Sequence, residues 1–294
     1  MRFLLTIIFI AFFQKLISQA IDSIKVDINH IFFCIDSATY ENLLKQEFVA
    51  KTFANTRELS SKTLTDSYTG KYIFGRNSYI EIFASNSYKG SSPQLGDKFG
   101  DVSIVFKTAK WGDLDEINSL ISSDKKSFRF EPTQYESDGK TITLNHVLFL
   151  SDTALQETFR PYVEEKTMDF LRSTGFSEAE IRAGITEQQF REKIRGKKYD
   201  KLYDDIEKIE LILTNAELEY LAEMLKYFGF SKTGHHRFTN DRLEIICSIK
   251  QNRMFKLKAI HFTLLNKTEK IKIEISKNLT FKADGVRASF QFSY

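Results

Sequence analysis

Proline and cysteine are scarce in this chain of 294 residues, at three and two, and tryptophan occurs once. Low proline beside 27 phenylalanines and 12 tyrosines excludes a disordered composition. A phosphate-binding glycine loop, a serine elbow, a zincin motif and a cysteine pair at zinc-finger spacing are all missing, which removes the chemistries that depend on them. Excess charge is missing too. Loss of Arg2 and Lys15 with a cleaved leader takes the 42 basic residues to 40, against 39 acidic ones. Such a balance suits nucleic acid poorly, because that ligand is held by clustered Lys and Arg. The one basic run, Arg191 to Lys198, is followed by Asp200, Asp204 and Asp205, and reads as a solvated helix end.

What is present begins at the N-terminus. Met1-Arg2 precedes an apolar run from Phe3 to Phe13, too short to span a bilayer, which takes roughly 20 apolar residues. Gln14-Lys15 ends the run, and Ser18-Gln19-Ala20 places small residues at both positions of a cleavage site. Residues 1–20 are therefore expected to be a signal peptide cut near Ala20, giving a secreted or periplasmic protein. No later run is comparably apolar, so no membrane association is expected after cleavage. About 274 mature residues are enough for two domains. Cys34 and Cys247 lie in apolar strand-like runs and read as buried thiols; a bridge between them stays open.

Along the chain, Ile28–Ile35 reads as a strand, Asp36-Ser37 as a cap and 38–57 as a helix. Lys71–Phe74 and Tyr79–Phe83 flank a Gly75-Arg76-Asn77 turn, forming a hairpin. A second strand-helix-strand-strand unit uses 101–107, 113–122, 127–130 and 141–150. The charged stretch 153–205 reads as a helical insertion, with Ser177 and Glu180 at capping-box spacing. A third unit starts at Lys208–Leu213, with Asn215 as cap and Gly229 as the stop of its helix. The expected organisation is thus 1–20 leader, 21–152 paired modules, 153–205 connector and 206–294 a second, degenerate domain.

Repeats support this division. Ile35–Leu43 parallels Leu213–Leu221, and Asn77–Ile82 parallels Asn240–Ile245, so Glu81 matches Glu244 and Lys208 stands where His30 does. Asn29–Phe33 also parallels Asn145–Phe149, with Asp36 and Asp152 at matching distance.

These modules, with Asn29-His30-Ile31 on a first strand, the 72–77 hairpin and Tyr79-Ile80-Glu81-Ile82-Phe83 on a last strand, resemble the vicinal oxygen chelate superfamily of glyoxalases, bleomycin-resistance proteins and extradiol dioxygenases. They are also similar to an uncharacterised family of bacterial secreted proteins with that fold. The resemblance implies an α+β fold of open curved sheets around a pocket. It implies one divalent metal (Zn, Ni, Mn or Fe) on His30, Glu81 and Asp101, with Glu81 as the catalytic carboxylate. The family's fourth ligand position falls near Thr143 or Asn145. Alternation puts His30 and Glu81 on one face each of their strands, away from the aliphatic residues. Phe32, Tyr72, Phe74, Asn77, Tyr79 and Phe83 would line a small-molecule site.

Three readings follow: a metal-dependent lyase, isomerase or dioxygenase; a metal-free module that sequesters a small ligand; and an interaction protein that uses residues 153–205. The plain alternatives are a hydrogen-bonded His30 and a salt-bridged Glu81. A small molecule is the expected partner, and homodimerisation stays open.

Overall fold

The computed structural model describes residues 26–62, 66–85, 87–90, 97–124, 126–137, 139–151, 158–251 and 254–294. The expected leader and Asp152 lie outside the described residues.

The first module runs β1 (Val26–Ile35), α1 (Ser37–Leu43), β2 (Asn55–Lys62), β3 (Asp66–Phe74) and β4 (Tyr79–Ala84), followed by a short β5 (Tyr88–Gly90). Asp36 caps α1 by accepting from the Thr39 amide. The helix expected over 38–57 stops early: α1 ends at Leu43, and a π-helical turn covers Phe48–Phe53. The second module runs β6 (Val102–Thr108), α2 (Asp113–Ser123), β7 (Phe128–Ser137), β8 (Lys140–Leu150) and β9 (Tyr162–Lys166).

Each module has three strands after its helix, where the sequence suggests two. The last returns parallel to the first, β4 beside β1 and β9 beside β6. The sheet order β2-β3-β4-β1-β6-β9-β8-β7, with β5 beside β3, joins both modules through the antiparallel β1–β6 pair. The strands missed by sequence reading have physical reasons. β2 (NTRELSSK) is an outer strand with few apolar side chains, so it carries no alternating signal. β9 has five residues inside a charged stretch. The connector is therefore not wholly helical: it contributes a central strand before α3 (Met168–Ser173), α4 (Glu178–Ala183) and α5 (Glu187–Arg195). Ser177 and Glu180 form the capping box their spacing predicts, and Thr186 with Gln189 forms another.

The third module repeats the pattern with β10 (Tyr203–Leu213), α6 (Asn215–Tyr227), β11 (Ser231–Gly234), β12 (Arg237–Thr239) and β13 (Glu244–Ile249). Its sheet order is β11-β12-β13-β10, extended by the long hairpin β14 (Leu257–Ser276) and β15 (Leu279–Phe292). β14 pairs antiparallel with β10, as β6 does with β1. Thr214, not Asn215, caps α6, in a box with Glu217.

The aliphatic faces of both sheets, with α1, α2 and α6, form one continuous core. Phe53 stacks on Tyr203 with centroids 5.2 Å apart, and Phe33 meets Phe292 at 5.3 Å, so aromatic rings tie the first sheet to the second. Burial of this apolar surface is the main term that favours the fold.

Candidate functional site

The register of β1 and β4 decides which side chains face the hollow side of the first sheet. His30 stands beside Tyr79 and Phe32 beside Glu81, so all four share that face. His30 and Glu81 are thus on one side, as alternation predicts. The His30 ring stacks on Tyr79 with centroids 4.4 Å apart. Burial lowers the His30 pKa to about 3, with Arg191 and Lys166 adding to the shift against an opposing push from Glu187; the imidazole is neutral. Glu81 is half-buried, and burial followed by the Glu164 charge raises its pKa to about 8.

The third expected ligand is elsewhere. Strand pairing puts Val105, not Asp101, across from His30. Asp101 sits four residues further along, roughly 13 Å at strand rise. There its carbonyl accepts from the Cys34 amide at 3.0 Å and its Oδ2 from the Lys98 amide at 3.0 Å. The antiparallel direction of β6 causes this, because moving back along β6 moves forward along β1. Nor do Thr143 and Asn145 occupy the last strand of the second module. That strand is β9, and its inward carboxylate is Glu164. Asn145 and Asn29 each donate a side-chain amide to Glu164, the Asn145 bond being 2.8 Å.

Among the described residues, no three His, Cys, Asp or Glu side chains gather to hold a metal ion. The Nδ1 of His30 is buried without a hydrogen-bond partner, which a ligand could satisfy. However, the Arg191 guanidinium lies 4.5 Å over the Tyr79 ring that His30 stacks on, and such a cation opposes a second one. The residues here do not fit a three-ligand divalent site. Cys34 and Cys247 are both free and buried.

The remaining aromatic candidates divide into two groups. Phe32 and Phe83 meet edge to face at 6.0 Å, in a cluster with Cys34 and Val105. Tyr72 stacks on Phe74 at 5.6 Å, and Phe74 is covered by Arg191 at 4.9 Å and Arg195 at 4.7 Å. Asn77 is committed to structure, its amide donating to Asp204 Oδ1 at 2.9 Å.

Helix α5 thus covers this part of the hollow, and the open space lies beside it. A cleft of about 450 Å3, its mouth included, runs between β6, β9 and the helices α3–α5. Leu171, Ile181, Ile185 and Phe190 form its apolar wall, and Trp111, 40% exposed, is among its lining residues. Lys107, Lys110 and Lys166 with Glu164, Glu165 and Glu187 supply its charged lining. Glu187 accepts from Arg191 Nε at 2.8 Å and is approached by Lys107 at 3.4 Å and Lys166 at 3.7 Å. Burial alone would raise the Glu187 pKa, but Lys166, Arg191 and Lys107 outweigh it and hold the carboxyl well below the ordinary range. Burial lowers the Lys107 pKa and raises that of Glu164. Sequence reading missed Glu164, Glu165, Lys166 and Glu187 because they come from β9 and α5, inside the stretch read as connector.

The profile of a family of unknown function, DUF5829, matches residues 28–292. The chain belongs to the DUF5829 family. No curated protein matches it at a significant level. Among solved structures, a hypothetical protein from Staphylococcus aureus aligns with TM-score 0.50 and 11% identity, over 84% of this chain and 95% of that one. The Mn(II)-bound glyoxalase from Novosphingobium aromaticivorans aligns at 0.36 and 12%, over 76% and 63%. The 2,2',3-trihydroxybiphenyl 1,2-dioxygenase from Sphingomonas wittichii aligns at 0.42 and 8%, over 92% of each. The DUF5829 chain shares its overall fold with the Staphylococcus aureus protein, and its strand order is modular, each module's last strand lying parallel to its first.

In this DUF5829 chain the third module carries a different surface. Lys208 does stand at the place of His30, but it pairs with Glu244 as His30 pairs with Tyr79. Glu244 is therefore the counterpart of Tyr79, and Ile246 that of Glu81. The hairpin turns confirm the two-residue offset: the Gly75 amide bonds the Ser78 carbonyl, and the Asn240 amide bonds that of Leu243. Matching letters had aligned the third residue of one turn with the first of the other. His261 pairs with Glu210 at 2.8 Å, and Lys258 reaches Glu210 at 2.8 Å, closing this face with ion pairs.

Proposed function

We propose that this protein acts outside the cytoplasm as a metal-free binding protein for a small organic acid with an apolar body. The leader-like residues 1–20 support the location. The cleft beside α5 supports the ligand class. One side is apolar, and Lys107 and Lys166 approach Glu187 at 3.4 and 3.7 Å, looser than a well-formed charged hydrogen bond. Each ammonium has three donors, so both keep capacity for a carboxylate. This pair of loosely engaged, largely buried lysines against an apolar wall is the observation that carries the reading. Glu81 does not line the cleft, so the reading includes no catalytic step.

Trp111, the one tryptophan of the chain, lines the cleft and reports on it directly. Titrating the mature protein with octanoate is expected to change its fluorescence saturably. Lys166→Ala is expected to weaken binding about tenfold, the effect of losing one charge-assisted contact. Treatment with a chelator should leave the titration unchanged. Loss of binding on chelation, or stoichiometric metal in the purified protein that disappears in His30→Ala, would overturn the metal-free reading. An octanoate titration indifferent to Lys166→Ala would overturn the assignment of the cleft.

A further inference from the structure

The basic run Arg191–Lys198 does not simply fade into solvent. Helix α5 ends at Gly196, which adopts a left-handed conformation at φ 63° and turns the chain back toward the first sheet. That turn brings the run against the β3–β4 turn and the start of β2. Between them lies a second cleft of about 260 Å3, mouth included, on the neighbouring flank of α5. Arg76, Arg191, Arg195, Lys197 and Lys198 line it, with Glu192 as the one acid among the lining residues.

The acids nearby are already engaged. Asp204 takes Arg76 at 2.8 Å, Glu187 takes the Nε of Arg191, and Glu192 accepts from Gln188 Nε2 at 3.0 Å and the Tyr199 amide at 3.4 Å. Arg195, Lys197 and Lys198 make no ion pair among the described residues. Arg191 is more than nine-tenths buried, and its Nη1 has no hydrogen-bond acceptor. Burial first, then the Arg191 and Arg57 charges, depress the Arg195 pKa. A helix C-terminus favours cations through its partial negative charge, and that accounts for Lys193 and Arg195. It does not account for Arg76, which comes from the sheet, or for a buried guanidinium with an empty donor. Guanidinium donors held in fixed positions beside lysines match a tetrahedral dianion, whose oxygens accept from several donors together.

We propose that this cleft is an anion site for a phosphate group, either free inorganic phosphate or the phosphate of a small monoester.

Calorimetric titration of the mature chain at low ionic strength tests the proposal. Inorganic phosphate and glycerol phosphate are the two probes, with matched sodium chloride as control. The expected result is saturable one-site binding for at least one probe and none for chloride. The tighter probe identifies the source of the phosphate. Arg195→Gln is expected to weaken binding about tenfold, as is the double change Lys197→Gln/Lys198→Gln on the exposed turn. The double change removes no packed side chain, so it tests the site even if Arg195→Gln perturbs the helix. The absence of saturable heat with both probes would overturn the proposal, as would affinity unchanged in the double variant.

Discussion

Glu187→Leu is expected to cost about 3–5 kcal/mol of folding stability, the range for removing one partner of a buried ion cluster. The carboxylate is the shared anion of Arg191, Lys107 and Lys166, and its side chain is only 6% exposed. Without it, three largely buried cations face one another with no shared anion. Glu187→Gln keeps the size and an acceptor for Arg191 and should lose less. Urea unfolding reads both: the midpoint falls while the denaturant slope stays constant. Adding Lys166→Met to Glu187→Leu should recover part of the loss, because the residues are coupled. A loss below about 1 kcal/mol for Glu187→Leu would contradict the cluster's structural role. The carboxyl is held below its ordinary 4.5, so its contribution is fully present above that value and is lost as the pH falls toward the folded pKa.

Glu81 has the opposite sign. Its pKa rises from an ordinary 4.5 to about 8 on folding, so the native state holds a proton that the unfolded chain releases. Stability must then fall as pH rises between those two values, at up to about 1.4 kcal/mol per pH unit. Glu81→Gln removes the ionisation and keeps the shape. The variant should be more stable than the parent by on the order of 3 kcal/mol near pH 9 and about equal to it near pH 4. The full shift would give more, but Glu164 lies close enough for the two carboxyls to titrate as a pair. Urea unfolding of both proteins across this range is the measurement. Parallel curves would show that Glu81 ionises freely in the folded state.

Much of the first module was legible because its inner strands are apolar, β-branched and aromatic runs. His30 and Glu81 were assigned to one face from residue order alone, and the register agrees. Asp101 failed as a ligand for a reason that composition cannot carry: the pairing direction of β6 moves it toward Cys34. The strand Tyr162–Lys166 was hidden because Glu164, Glu165 and Lys166 look like a solvated helix face, although Glu164 is buried between two asparagine amides. The cover provided by α5 is a long-range contact, and nothing local in Glu187-Gln-Gln-Phe-Arg announces that Arg191 will lie over Tyr79.

The flat stack of Phe53 on Tyr203, rings within 2° of parallel, has a consequence for the history of the chain. Phe262 and Phe290 from the hairpin β14–β15 press on the same ring of Phe53. Whatever duplication produced the modules, the copies have since surrendered their independence. Expressed separately, either half would present these rings to water. A gene split near residue 200 would therefore yield two fragments that each expose part of this ring cluster until they associate.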